Sequence, residues 1–183
     1  MTIRVLLLIV ALLFTLCDTS SAQYDRERDS RFIVSQGDEM PHFSCTTLDG
    51  DQLDSDFLRG QVVLLQFVAS WCPYSKAQMD DIEAQLWQRY SGTTDLMIIG
   101  LSEDIPQDTA EFRQIVTEKG ITYPMAFDID ESIYRLFATP RGSVTRTVIF
   151  NRDGRIIALF DEHDRRTFRH LRKCIEAELR QAK

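Results

Sequence analysis

The chain predicts an α/β fold, a mixed central β-sheet flanked by helices with a β-hairpin at its N-terminal end. Three observations carry the prediction. Residues 61–76 read QVVLLQFVASWCPYSK, an apolar run without helical periodicity that passes directly into helical spacing. A second apolar run, LMIIGL at 96–101, follows after one helix-length segment, the pattern of parallel strands joined by a crossover. Asn151-Arg152-Asp153-Gly154 separates two short strand-like runs and marks an antiparallel pair.

Taken in order, residues 1–22 read as a signal peptide. Arg4 precedes an apolar run at 5–16, and Ser20, Ser21 and Ala22 offer the small residues a signal peptidase reads, so cleavage after Ala22 would leave Gln23 first. Two other readings stay open. One is an uncleaved anchor, for which the run is short. The other is a lipid on Cys17, although bulky Leu16 stands where a small residue is expected. Periplasmic or other export is the expectation, with membrane contact only through a retained leader or a lipidated Cys17. Residues 23–39 are polar and charged and read as an irregular arm; a single domain is expected over 40–183.

Within that domain, Phe43, Cys45 and Thr47 alternate with polar neighbours, and Asp49-Gly50 supplies a hairpin turn. The run at 62–68 is rich in β-branched and aromatic types and suits a strand covered on both faces. Helical spacing over 76–90 puts Met79, Ile82, Leu86 and Tyr90 on one side. Asp108 or Thr109 can cap a helix that runs to about Lys119, where Gly120 stops it. Residues 121–128 read as extended and 131–137 as a short helix. Strands at 145–150 and 155–160 form the second hairpin. The last helix, 167–179, turns Phe168, Leu171, Cys174, Ile175 and Leu179 inward.

The formal net charge of −7 argues against nucleic acid or an anionic membrane surface as the main partner. Loss of the leader removes Cys17 from the four cysteines and leaves Cys45, Cys72 and Cys174. An odd count in an oxidising compartment means a free or intermolecularly paired thiol. No close cysteine pair is present, and His42, His163 and His170 have no ligand spacing with the cysteines, so neither metal nor cofactor is expected.

The chemistry is expected at Cys72. It stands where a strand gives way to a helix, beside unpaired backbone N–H groups and the positive end of the helix dipole. Both favour the thiolate, which is the nucleophile. Pro73 fits a helix start, where its missing N–H would be unpaired anyway. The plainer reading is a cysteine merely packed at the top of a strand; Trp71, Pro73 and the helix start converging on one residue speak for the reactive one. Lys76 could acidify the thiol, although a lysine in a first helical turn more often sits in solvent.

These residues resemble the thioredoxin-like superfamily, and within it the exported TlpA/ResA-type thiol–disulfide oxidoreductases and the related redoxin/peroxiredoxin (AhpC/TSA-like) group. The matching stretches are Leu48-Asp49-Gly50, Leu58-Arg59-Gly60, Phe67-Val68-Ala69-Ser70-Trp71-Cys72, Gly120-Ile121-Thr122-Tyr123-Pro124 and Ile149-Phe150-Asn151-Arg152-Asp153-Gly154. The resemblance implies the same sheet-and-helix fold and puts the reactive cysteine at Cys72. The departures bear on function. The family's Cys-x-x-Cys is here Cys72-Pro73-Tyr74-Ser75; Ser75 can donate a hydrogen bond to the thiolate but cannot close a disulfide. Gln66 stands where the resemblance implies a buried carboxylate, Gln78 where it implies a glutamate, and Asp80 where it implies a kinking proline. Thr145 takes the place of the cis-proline that faces the sulfur, with Pro140 offset by a longer loop. The peroxiredoxin Pro-x-x-x-Thr-x-x-Cys pattern is absent, Ala69 replacing its threonine, and Arg146 lies one place off the register of a peroxide-assisting arginine.

Three functions compete. In the first, Cys72 and Ser75 carry mixed-disulfide exchange with thiol- or disulfide-bearing protein partners or small molecules, with Trp71, Pro73, Tyr74 and Thr145 lining the binding surface. The second is a fold kept for binding with the redox chemistry lost, and the third a slow one-cysteine peroxidase. Cys45 and Cys174 are expected to behave as core residues rather than as resolving thiols.

Overall fold

The computed structural model describes residues 32–139 and 143–181. The expected leader, Cys17, the first part of the arm and Pro140 lie outside the described residues. At the centre is β3 (Val62–Val68), all seven of whose residues are buried. Its side chains alternate between two cores. Val62, Leu64 and Val68 face a cluster with Met79, Ile82 and Leu86. Val63, Leu65 and Phe67 face one with Phe43, Phe137 and Phe150. Truncating Leu64 or Leu65 to alanine would cost roughly 2–5 kcal/mol, since no water can fill the gap.

Around β3 the sheet runs in the order β5-β4-β3-β6-β7. Parallel neighbours β4 (Leu96–Ser102) and β5 (Met125–Phe127) extend it on one side. On the other side, β6 (Arg146–Phe150) and β7 (Ile156–Phe160) form the expected antiparallel hairpin. All three parallel strands end together, with Val68 opposite Ser102 and Ser102 opposite Phe127. Because β6 is antiparallel, it begins at that same edge.

The longer helices pack on the first cluster. Helix α1 (Pro73–Ile82) begins three residues before the expected start and continues as a π-helical turn, Glu83–Trp87, and a last α-turn, Gln88–Tyr90. The π-turn coincides with Glu83, whose carboxylate accepts from the Thr122 N–H at 2.8 Å and its hydroxyl at 2.7 Å. Helix α2 (Thr109–Glu118) buries Phe112 and stops at Gly120, whose φ of +63° a side-chain-bearing residue would resist. Helix α3 (Arg165–Leu179) starts two residues early because Asp164 caps it, accepting from the Arg166 and Thr167 N–H groups at 2.7 Å. Phe168, Leu171 and Ile175 are buried, while Cys174 is half-buried.

The opposite face is covered by the N-terminal hairpin β1 (Ser44–Thr46) and β2 (Gln52–Asp54), turning through Gly50 at φ +97°. The short helix expected at 131–137 shrinks to a 3-10 turn, Tyr134–Leu136. The Asp128 carboxylate accepts from the Ile133 and Tyr134 N–H groups at 3.0 and 2.7 Å, and Glu131 takes φ 56°, so the helix cannot begin sooner. The segment expected as a polar arm is, from Phe32 onward, laid against the domain: Phe32 is buried, Ile33 N–H donates to Phe137 O, and Gly37 N–H to Ile156 O. Among the described residues no helix is long and apolar enough to cross a membrane.

Candidate functional site

Cys72 stands between β3 and α1 as the residue immediately before the helix, in extended conformation at φ −89° and ψ 115°. Three devices hold it there. Pro73 opens the helix, and the Lys76 N–H donates to Cys72 O at 3.2 Å, closing the first turn. The approach to Cys72 is clamped at Ser70, whose N–H and hydroxyl both donate to the Asp104 carboxylate, the hydroxyl at 2.7 Å. Asp104 is buried just past the end of β4, so the clamp ties the exits of two adjacent strands.

At the sulfur, the predicted residues come together. Thr145, the residue just before β6, puts Oγ1 3.4 Å from Cys72 Sγ and 2.8 Å from Ser75 Oγ. Ser75 Oγ in turn accepts from the Ala69 N–H at 3.3 Å. When Cys72 is ionised it can only accept, so the Thr145 hydroxyl donates to it and takes the Ser75 proton on its own oxygen. The result is a one-way chain, Ala69 to Ser75 to Thr145 to sulfur, each member polarising the next. Ser75 thus has a partner the sequence did not disclose: its hydroxyl meets Thr145.

Electrostatics follow from that geometry. Burial opposes the thiolate, but the Thr145 hydroxyl, the Ser75 N–H and hydroxyl, and the Tyr74 N–H outweigh it and hold the Cys72 thiol below its ordinary range. The backbone share comes from the Ser75 and Tyr74 N–H groups of the first helical turn, which act as hydrogen-bond donors toward the sulfur. Lys76 has no part in this shift. The other two thiols go the opposite way: burial and Asp128 push Cys45 up to about 11, and burial raises Cys174. All three are unpaired.

The sulfur is covered but not isolated. Cys72 keeps 8% of its surface, while Trp71 and Tyr74 on either side are 63% and 64% exposed. Pro73 completes this rim. Behind the site lies a buried ladder without charge. Tyr123 OH donates to Gln66 Oε1 at 2.8 Å, Gln66 Nε2 to Gln78 Oε1 at 2.9 Å, and Gln78 Nε2 to Thr147 Oγ1 at 3.1 Å. The amides at 66 and 78 satisfy one another where carboxylates would have supplied a proton acceptor. The sequence did not signal this ladder, nor Asp104, because the partners come from separate elements.

Arg146 lies on the other face, as its register requires. It pairs with Phe67, is fully buried between the Phe32 and Tyr134 rings at 5.0 and 5.3 Å, and donates from Nε to Ser143 O. As for metal, one group among the described residues, His42 with Asp54 and Asp56, brings ligand atoms within 4.8 Å of one another. It is a surface cluster beside the hairpin, with His42 Nδ1 3.7 and 3.6 Å from the Asp54 and Asp56 carboxylates and the imidazole largely exposed.

Comparison with known proteins places this architecture. The model of the AhpC/TSA family matches residues 36–159. A candidate protein disulfide isomerase from Bacteroides thetaiotaomicron superposes with a TM-score of 0.77 at 32% identity, covering 83% of this chain and 94% of that one. The thiol-disulfide oxidoreductase ResA of Bacillus anthracis is 25% identical over 121 residues, and the chain spans 66% of its length. A candidate peroxiredoxin of Mycobacterium tuberculosis is 26% identical over 68% of this chain and 83% of its own length. The expected mixed sheet, flanking helices and N-terminal hairpin are all present, and the chain belongs to the AhpC/TSA family of thioredoxin-like redoxins.

Proposed function

We propose that the protein is an exported thiol–disulfide oxidoreductase that works with a single thiol, engaging disulfides of protein or small-molecule partners through Cys72. The observation that carries the reading is a thiol held below its ordinary range by Thr145 and the first turn of α1, with a hydroxyl at Ser75 where an internal disulfide would need sulfur. The likenesses to ResA and to a candidate disulfide isomerase support chemistry of this class.

In the exchange, the Cys72 thiolate attacks one sulfur of a partner disulfide. A bond forms between Cys72 Sγ and that sulfur as the old S–S bond breaks, and the other sulfur leaves as a thiolate that takes a proton from water. Ser75 cannot displace the partner, so the mixed disulfide waits for an outside thiolate. That thiolate attacks the partner's sulfur, and Cys72 departs with its electron pair, stabilised by the same Thr145 hydrogen bond. Across both steps the protein gains and loses no electrons. A low thiol pKa serves twice here, since it raises the thiolate fraction and improves the leaving group. The uncharged Gln66–Gln78 ladder fits a cycle without a second thiol to deprotonate. Trp71, Pro73 and Tyr74 form the rim that a partner meets.

The test is adduct formation. The protein incubated with a disulfide-bonded peptide should give one mixed disulfide per chain by intact mass, mapped to Cys72 and absent in Cys72→Ser. Absence of any adduct on the native protein would return the fold to a binding role. Rapid hydrogen peroxide consumption lost in Cys72→Ser would make it a peroxidase instead.

A further inference from the structure

Large apolar side chains are exposed at the exits of all three parallel strands. Trp71 (63%) follows β3, Ile105 (55%) follows β4, and Ile129 (46%) follows β5. These exits are neighbours. The Ser70–Asp104 hydrogen bonds join the first to the second, and Asp128 N–H donating to Ser102 O joins the second to the third. Adjacent strands lie about 4.8 Å apart, so the row leads away from Cys72 along one edge of the sheet. Exposed apolar residues at three neighbouring strand exits, beside the reactive thiol, offer a candidate interaction surface. Carboxylates stand near it in the chain: Asp130 directly follows Ile129 and is exposed, and half-buried Asp108 lies three residues beyond Ile105.

We propose that this row is a docking track for an extended cysteine-containing polypeptide segment that is apolar next to its cysteine and carries Lys or Arg beyond it. The inference rests on the disulfide-exchange reading of Cys72 and names its substrate class. Charge selects the occupant. The charge of these carboxylates, on a chain of net charge −7, attracts a cationic segment. It disfavours a second copy of the chain, an anionic lipid surface and glutathione, whose two carboxylates outnumber its single amine. The apolar residues bind the side chains that flank the partner's cysteine, and the sulfur is delivered to Cys72.

The test uses the full protein and pyridyl-disulfide probes. Cys72 attack releases one pyridine-2-thione and leaves the peptide joined to Cys72, so the rate is read from absorbance. Four probes are compared at low ionic strength: a Leu-flanked cysteine peptide with outer lysines, the same peptide with outer glutamates, a Ser-flanked peptide with outer lysines, and the glutathione derivative. The first should react at least tenfold faster than any other, and 0.5 M salt should reduce that margin. Ile105→Ser combined with Ile129→Ser should remove the apolar part of the preference, and Asp130→Lys the lysine part. Neither should alter the rate with 2,2′-dithiodipyridine, which reports the thiol alone. Equal rates for all four probes, a faster glutathione reaction, or an unchanged preference in the variants would overturn the track. A native protein inert to 2,2′-dithiodipyridine would overturn the exchange reading itself.

Discussion

Cys72 and Cys45 are thiols of one small fold driven in opposite directions. Cys45 lies on β1 half-buried, and burial with the nearby Asp128 charge takes it up to about 11. Cys72 keeps little exposed surface and burial opposes its ionisation too, yet its thiol falls below the ordinary range. Burial pushes both thiols up; what separates them is the supply of hydrogen-bond donors, which Cys72 has and Cys45 lacks. Cys45 faces a core and a carboxylate, whereas Cys72 meets the Thr145 and Ser75 hydroxyls and the N–H groups of a helix start. The difference is one of position in the fold: the edge where β3 ends and β6 begins collects donors, and the hairpin does not.

The comparison can be broken most severely by removing a sulfur. Cys72→Ser should abolish adduct formation with disulfide peptides, while Cys45→Ser and Cys174→Ser retain it, as intact mass would show. Thr145→Val comes next. It deletes the donor 3.4 Å from the sulfur and keeps the shape, so alkylation of Cys72 at neutral pH should slow by about tenfold, the scale of a lost charge-assisted hydrogen bond. Ser75→Ala removes a link one step further back and should slow the same reaction roughly two- to threefold, because Thr145 can still donate. A Ser75→Ala effect larger than that of Thr145→Val would show the chain to run otherwise than argued.

A smaller effect tests the same rule on a carboxylate. Glu103 is another acid raised by its surroundings: its Oε1 is buried with no hydrogen-bond partner among the described residues, and burial with the Glu131 and Asp128 charges lifts it to about 8 from 4.5 against the pull of Arg146. Between those two values the folded state holds a proton that the unfolded chain has released. Stability should therefore fall as pH rises from 4.5 to 8. Glu103→Gln should flatten that slope, seen as a smaller loss of melting temperature between pH 6 and 8.5, by roughly a few degrees. An identical slope in the variant would mean that Glu103 finds its charge compensated.

Much of the fold was legible because its signals are local. The run at 62–68 suits a covered strand, Asn151 to Gly154 a hairpin turn, and Cys72-Pro73 a helix start. What escaped was set by contacts between distant segments. The π-turn at Glu83 follows a carboxylate that meets Thr122, and the 3-10 turn at Tyr134 is cut short by Asp128. Phe32 anchors a segment whose composition is polar. At the site, Cys72 and Ser75 could be read from one motif, whereas Thr145 came only with the family resemblance. Asp104 and the Gln66–Gln78 ladder had no sequence signal, since neither spacing nor residue type announces a partner 34 residues away in one case or 12 in the other.

The most direct test is the rate of iodoacetamide alkylation at Cys72 measured against pH in the native protein, with the urea-unfolded chain as its control. A native midpoint below that of the unfolded chain is expected, while Cys45 stays unreactive in the folded protein. A native midpoint equal to that of the unfolded chain, or above it, would contradict the account: the donors around the sulfur would then lose to burial.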